Sequence, residues 1–206
     1  MRHRKKGRKL GRSPKHQRAL LKSLASALFL TERDAEHDEN KPKVKGRMIT
    51  TISKAKEVRP LVEKCITVAR RGLVAEDSAN EFDSNADRGS DAWKTWRKSD
   101  RWAKWNQAIA PSVAARRRCL QLLGNKQAVR VLFAEVAPRF ADRPGGYTRI
   151  LRLAKPRLGD AGIRAVIEFV GVRDRVAERS VRPTFEGEPK PEGAPKKKKP
   201  AAAATK

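Results

Sequence analysis

Residues 47–72, RMITTISKAKEVRPLVEKCITVARRG, hold a predicted strand and a predicted helix in direct succession, and this pairing decides the fold class. The first five residues, 47–51, are rich in β-branched side chains and predict a short strand. Apolar residues then recur every three or four positions, which is the period of an amphipathic helix with one buried side. We expect Ser53 to cap this helix, Pro60 to kink or restart it, and Gly72 to end it. The predicted buried side comprises Ala55, Val58, Leu61, Val62, Cys65, Ile66 and Ala69.

Three further helices are predicted from capping residues and apolar stripes. The first follows Ser13-Pro14, a capping hydroxyl with proline at the first helical position. The second runs from Ser112 to about Leu123, and the third from a cap at Asn125 to a stop at Pro138. These helices would supply most of the apolar surface that a core requires.

The stretch after residue 146 predicts two more strands. Residues 147–155 are β-rich, residues 156–162 turn the chain, and residues 163–170 alternate at period two, as in a half-buried strand. The whole pattern predicts an α+β fold, with a small mixed β-sheet of about three strands packed on helices. The expected organisation is a basic extended arm at 1–12, a domain at 13–173 with insertions at about 34–46 and 73–110, and a disordered Pro/Lys/Ala-rich tail at 174–206.

Charge gives the first indication of a partner. The net charge is +26 and the pI is near 11.0, values typical of a protein that binds nucleic acid. Residues 1–18, MRHRKKGRKLGRSPKHQR, carry nine Lys and Arg residues and no carboxylate. Because such a segment repels itself and has little to bury, we expect it to order only on a polyanion or an acidic membrane surface. Acidic residues crowd positions 32–39 and 76–91, which predict solvated loops facing away from that polyanion, and 73–92 predicts a long loop or a disordered insertion.

All four tryptophans lie between residues 93 and 105, interleaved with five Lys and Arg residues. One interpretation is stacking and cation–π contact with RNA. The other is that Trp93/Trp96 and Trp102/Trp105 pack as a small satellite core. The large area of an indole favours packing.

Other classes of chemistry find little support in the sequence. Cys65 and Cys119 lie in apolar helical surroundings and predict buried free thiols, since the three histidines lack zinc-ligand spacing. We find no catalytic triad, phosphate-binding loop or carboxylate pair in an apolar stretch, so no enzyme activity, cofactor or small-molecule substrate is expected.

There is no signal peptide and no run near the ~20 apolar residues of a membrane helix, which predicts a cytosolic, reducing location without membrane attachment.

Three blocks carry a family resemblance: MRHRKKGRKLGR with HQRALLKSLASAL, ITTISKAKEVRPLVEKCIT, and FAEVAPRFADRPGGYTRILRLAKPRLGDAG with AVIEFV. In these blocks the chain resembles the bacterial large-subunit ribosomal protein family numbered seventeen. The resemblance implies a small sheet backed by helices, a basic N-terminal arm, binding to 23S rRNA near the mouth of the nascent-chain tunnel, and neighbouring large-subunit proteins as partners. The acidic segment at 34–45, the enlarged connection at 73–110 and the lysine-rich tail depart from the family pattern.

The predicted RNA contacts are mostly cations, since contacts to phosphate supply affinity and arginine offers a forked donor. At the Gly145-Gly146 turn the missing Cβ atoms would let an RNA backbone approach, and Tyr147 could stack or hydrogen-bond there. The alternative is a plain turn with incidental surface arginines. The predicted RNA-binding residues are Arg2, His3, Arg4, Lys5, Lys6, Arg8, Lys9, Arg12, Lys15, His16, Arg18, Lys54, Lys56, Arg139, Arg143, Gly145, Gly146, Tyr147 and Arg149.

Two functions therefore compete at this point. The first is a structural rRNA-binding protein of the bacterial large subunit. The second is a non-specific DNA-compacting chromosomal protein, which the basic arm and the lysine tail would suit equally well. The second predicts no preference for folded RNA over duplex DNA.

Overall fold

The computed structural model of the chain describes Arg8, Leu10, Gly11 and residues 13–36 and 38–171. In chain order the elements are α1 (Pro14–Leu30), β1 (Arg47–Thr51), α2 (Ile52–Asn80), α3 (Asp91–Lys98), α4 (Asp100–Leu123), α5 (Lys126–Val131), a π-helical turn (Leu132–Val136), α6 (Ala137–Arg139), β2 (Thr148–Arg152) and β3 (Arg164–Phe169). The predicted class, helices packed on a small three-stranded sheet, is confirmed. The tail predicted at 174–206 lies outside the described residues. None of the described helices is both long enough and apolar enough to cross a membrane.

The sheet has the strand order β1-β3-β2, and both neighbouring pairs run antiparallel. It is therefore antiparallel throughout, whereas a mixed sheet was predicted. Residues 153–163 join β2 to β3 as a hairpin, which fixes their opposite directions. As the central strand, β3 has side chains of β1 and β2 on both sides, so Val166 and Glu168 are buried although period two predicted a half-buried strand.

Helix α2 forms the centre of the hydrophobic core, which is shared by α1, α4, the stretch from α5 to α6, and the inner face of the sheet. Its predicted buried side is confirmed at Ala55, Val58, Val62, Cys65, Ile66 and Ala69, and Leu61 is partly buried. The helix begins at Ile52, directly after β1, so the predicted cap at Ser53 is wrong. The Ile52 amide donates instead to the carbonyl of Ile163, the residue before β3, at 3.0 Å. Pro60 lies inside the continuous helix and does not restart it.

Gly72 does not end α2, which continues to Asn80 through residues predicted as a loop. A Cβ atom at Gly72 would lie 2.8 Å from Ala115 Cβ and 3.1 Å from an edge atom of Phe133. The glycine therefore permits close packing of α2 on α4 and the π-helical turn, rather than terminating the helix.

Two other predicted boundaries also differ. Helix α4 begins at Asp100, well before the predicted start at Ser112, whose hydroxyl is buried against the Glu76 carboxylate at 3.2 Å. The end of α4 at Gly124 (φ +75°) and the cap at Asn125, which accepts from the Ala128 amide at 3.1 Å, are confirmed. Pro138 lies in the first turn of α6, where proline is tolerated, so it does not stop the helical path.

Candidate nucleic-acid interface

The described part of the arm folds back toward the domain. The Arg8 guanidinium lies 3.3 Å from the Glu57 carboxylate of α2, and the Arg8 carbonyl accepts from the Gln17 side chain at 2.6 Å. Gly11 has φ +114°, and the imidazole of His16 occupies the space that a Cβ atom would need there. This left-handed turn directs the chain along the beginning of α1. The other arm residues predicted to contact RNA, Arg2, His3, Arg4, Lys5, Lys6, Lys9 and Arg12, lie outside the described residues.

The start of α1 presents the next three predicted RNA-binding residues, Lys15, His16 and Arg18, which are all exposed. The Ser13 hydroxyl accepts from the His16 amide at 3.3 Å, which confirms the predicted cap. This turn contains no acidic residue. Because the helix dipole places partial positive charge at this end, cations here raise the free energy of the isolated helix. An anion at this end would remove that penalty.

A basic groove of about 500 Å³ runs between α2 and β2. It brings together two predicted residues from separate parts of the chain, Lys56 and Arg149, and adds Arg59 and Arg152, which sequence reasoning missed. Arg59 is tied to Glu63 at 3.1 Å one helical turn later. Lys54 lies two residues before Lys56 and therefore on another side of α2. Spacing was a sequence signal for Arg59, because it lies three residues after Lys56 and so shares its helical face. Arg152 had no such signal, because residues three apart on a strand point to opposite faces.

Arg149 also belongs to an ion triad across the sheet. Glu168 on the central strand accepts from Arg47 Nε at 2.9 Å and from Arg149 Nε at 2.5 Å. The register places both arginines directly opposite this carboxylate, and Glu168 is only 5% exposed. Burial by itself raises the pKa of Glu168, but the hydrogen bonds from the two arginines outweigh it and leave the pKa below its ordinary value. Glu168 is thus held as an anion that screens two cations of this face.

Arg139 is engaged within the protein. Its guanidinium makes a bidentate pair with Glu32 at 2.7 and 3.0 Å, and Glu32 is 8% exposed. Hydrogen bonding to Glu32 raises the pKa of Arg139, against the opposing effect of burial. The prediction that the acidic residues from 32 onward are solvated is therefore wrong at Glu32, which anchors this segment beneath Gly46.

At the predicted glycine turn, the two glycines are accessible but Tyr147 is not. Gly145 and Gly146 are exposed, with open space around both, and φ of +65° explains glycine at position 146. Arg143 donates to the Gly145 carbonyl at 3.3 Å. Tyr147 is 1% exposed, packs against Phe140, and accepts a hydrogen bond from Arg70 at 2.8 Å. Its ring is a core component, so stacking of Tyr147 on an RNA base does not fit this position.

The four tryptophans divide into two pairs, and neither pair matches the predicted grouping. Trp96 and Trp105 pack edge to face at 5.6 Å, and the Trp96 indole donates to the Phe82 carbonyl at 3.1 Å. Trp93 and Trp102 flank Arg97, whose guanidinium carbon lies 5.0 and 5.9 Å from the two ring centres. All four indoles are half-buried. Trp96 and Trp105 thus pack against each other, but no residue of α3 is fully buried, so the segment forms no buried satellite core.

The cysteines offer neither nucleophile nor metal ligand. Both thiols are free and buried, as predicted, and Cys119 lies 3.7 Å from the Cys65 carbonyl. Burial raises the pKa of Cys65 to about 12 and that of Cys119 to about 11, so both stay protonated at neutral pH. Across residues 13–36 and 38–171, no three His, Cys, Asp or Glu side chains come together as a metal site would require.

Comparison with known proteins places this fold in a family. Residues 20–170 match the family described as Ribosomal protein L17. Large ribosomal subunit protein bL17 of Rhodopirellula baltica is 62% identical over 95% of this chain and 93% of its own length. The bL17 proteins of Nitratidesulfovibrio vulgaris and Bifidobacterium longum subsp. infantis are 34% and 33% identical, over 82% and 86% of this chain and 87% and 70% of their own lengths. The chain belongs to the ribosomal protein L17 family of the large ribosomal subunit.

Proposed function

We propose that the protein binds and stabilises folded 23S rRNA in the large subunit of the cytoplasmic ribosome, near the nascent-chain exit. Family membership supports a place in the large subunit, and the resemblance of the three sequence blocks supports the position near the exit. Its partners are 23S rRNA and neighbouring large-subunit proteins, with neither a small-molecule substrate nor a membrane involved.

The exposed cations at the start of α1 carry the proposal. Lys15 and Arg18 stand at the end of the helix where positive charge is least favourable, with His16 beside them, and no described carboxylate pairs with any of the three. Rigid placement on a helix of the domain makes this a fixed binding surface. A phosphate backbone at this position satisfies both the side chains and the helix dipole.

The arm extends this surface. Its cations continue the charge of α1 toward the N-terminus, and a single extended strand of chain is thin enough to pass between RNA helices. Arg8 and Gly11 fix where the arm leaves the domain, through the contacts to Glu57 and His16. The basic groove at Lys56 and Arg149 adds a second row of cations on another part of the surface.

Sedimentation with large subunits tests the proposal. Tagged wild-type protein should sediment with the large subunit in moderate salt, whereas the double variant Lys15→Ala/Arg18→Ala should be largely displaced. The control Arg117→Ala/Arg118→Ala removes the same charge from exposed positions of α4 and should sediment like the wild type. Equal retention of both double variants would contradict the proposal, as would equally strong binding to duplex DNA in competition.

A further inference from the structure

The clearest feature outside the proposed interface is a cation held between two indoles from different helices. Trp93 and Arg97 lie one turn apart on α3, and Trp102 lies in the first turn of α4. The Arg97 guanidinium is within cation–π range of both rings, at 5.0 and 5.9 Å. We call Trp93, Arg97 and Trp102 the tryptophan–arginine platform.

The platform is oriented by the other tryptophan pair. The edge contact of Trp96 with Trp105 joins α3 to α4, and the hydrogen bond from Trp96 to Phe82 joins α3 to the preceding loop. Arg101 strengthens this connection by donating to the Glu81 and Asp83 carbonyls. Trp96 and Trp105 thus support the segment, which leaves Trp93 and Trp102 available to contact a ligand.

The hydrogen-bonding capacity of the platform is unused. Arg97 is exposed and has no hydrogen-bond or ion-pair partner among the described residues, so its donors are free for a ligand. Lys98 and Lys104 nearby are likewise exposed and without a described partner. Residues 91–105 contain five cations and two carboxylates, and one of those carboxylates, Asp91, already pairs with Lys94. The ligand expected here is an anion that also offers a flat face.

We propose that the tryptophan–arginine platform is a second RNA-binding site that takes an unpaired base and its phosphate. This proposal rests on the proposed function and adds a site in the segment 91–105. An aromatic ring and a guanidinium plane both stack on a base, and the free donors reach the adjoining phosphate. A paired base inside a helix could not offer its face to the indoles.

A protein partner fits this surface less well. Among the described residues, the large aliphatic side chains with strong exposure lie elsewhere, for example Ile49 and Leu151 on the sheet. Within 81–105 no such side chain is present. Three of the five cations of 91–105 are lysines, which protein interfaces contain less often than the rest of the surface, and this lysine content favours RNA.

Tryptophan fluorescence of the full-length protein isolates this site, because all four tryptophans of the chain lie between residues 93 and 105. Titration with a single-stranded oligoribonucleotide should quench the emission, and the same length of duplex RNA should quench it much less. The variant Trp93→Phe/Trp102→Phe should lose most of the quenching, because only the supporting indoles of Trp96 and Trp105 then remain to emit, whereas Arg117→Ala should be quenched like the wild type. Circular dichroism checks that each variant is folded.

Arginine variants test the role of the cation. Arg97→Ala should weaken binding of the single strand by roughly fivefold to a hundredfold, as for loss of one base stack. Arg97→Lys keeps the charge but not the plane, and should recover only part of this loss. Arg117→Ala, which removes one exposed charge elsewhere on α4, should leave the affinity within about twofold.

The outcomes separate the two proposals. If the protein retains 23S rRNA in a filter-binding assay but its tryptophan emission does not respond to single-stranded RNA, the platform proposal is overturned and the proposed function stands. If no RNA is retained, the proposed function fails. Cross-linking of Trp93 or Trp102 to a protein rather than to rRNA in assembled subunits would also overturn the platform proposal.

Discussion

Arg139 shows how a residue of the expected type can serve the fold instead of the ligand. Its guanidinium closes over Glu32, which is nearly buried beside Gly46. Sequence reasoning placed Arg139 beside the glycine turn because the two are close in the chain. The sequence gives no sign that Arg139 pairs with Glu32, which is 107 residues away in the chain.

We predict that Arg139→Ala lowers the free energy of unfolding by about 1–3 kcal/mol, because it leaves the Glu32 carboxylate buried without a partner and solvent screens only part of the loss. Arg143→Ala should change it by less than about 0.5 kcal/mol, since that guanidinium contacts only a turn carbonyl. Urea denaturation of both variants makes the comparison. Equal stabilities would show that the ion pair contributes little.

Glu168 makes the stability depend on pH. Its pKa in the folded protein lies below the ordinary value of 4.5, so the triad stabilises the fold above that pH. This contribution is lost as the pH falls through 4.5 toward the folded pKa. We predict that Glu168→Gln costs about 1–2 kcal/mol at pH 7, and that the difference from wild type shrinks below pH 4.5. A difference that is the same at pH 7 and pH 3.5 would contradict this assignment.

At the scale of elements, α2 illustrates both the reach and the limit of sequence patterns. Its buried side followed from the period of its apolar residues, and β1 followed from its β-branched run. The end at Gly72 was wrong because glycine favours a terminus as well as a close helix contact, and only the positions of Ala115 and Phe133 distinguish the two. Residues 73–80 continue the helix, with Leu73 packed against the core and Glu76 paired with Ser112 and Arg116 of α4.

We predict that Gly72→Ala destabilises the fold by about 1–3 kcal/mol, although alanine is the better helix former by about 1 kcal/mol. The added methyl would press on Ala115 and Phe133 within a packed core. Val74→Ala, two residues further along and 70% exposed, is the control and should change stability by less than about 0.5 kcal/mol. A more stable Gly72→Ala protein in thermal denaturation would disprove the packing role.

Across the whole molecule, charge is divided between the fold and the ligand. Several arginines pair with carboxylates inside the domain, as Arg116 does with Glu76 and Arg47 with Glu168. Among the described residues, the cations at the start of α1 have no such partners. Composition predicted a polyanion binder, but it counts both groups alike. Which arginine is structural depends on contacts between distant parts of the chain, and those contacts appear only in the folded molecule.

The central claim is that the arm and the adjoining turn of α1 provide the electrostatic part of rRNA binding. The domain itself should tolerate loss of residues 2–12, because the Arg8–Glu57 pair is largely exposed and such pairs contribute ~1 kcal/mol or less. Circular dichroism and the unfolding midpoint of the truncated protein check this expectation.

The most direct test is the affinity for 23S rRNA as a function of salt, measured for the full chain and for the protein lacking residues 2–12. If the full chain neutralises six to ten phosphates, its affinity should fall by on the order of 10³–10⁵ between 50 and 200 mM salt. The truncated protein should bind more weakly at low salt, and its affinity should depend much less steeply on salt, because seven cations are missing. Identical affinities and identical salt slopes for the two proteins would contradict the account.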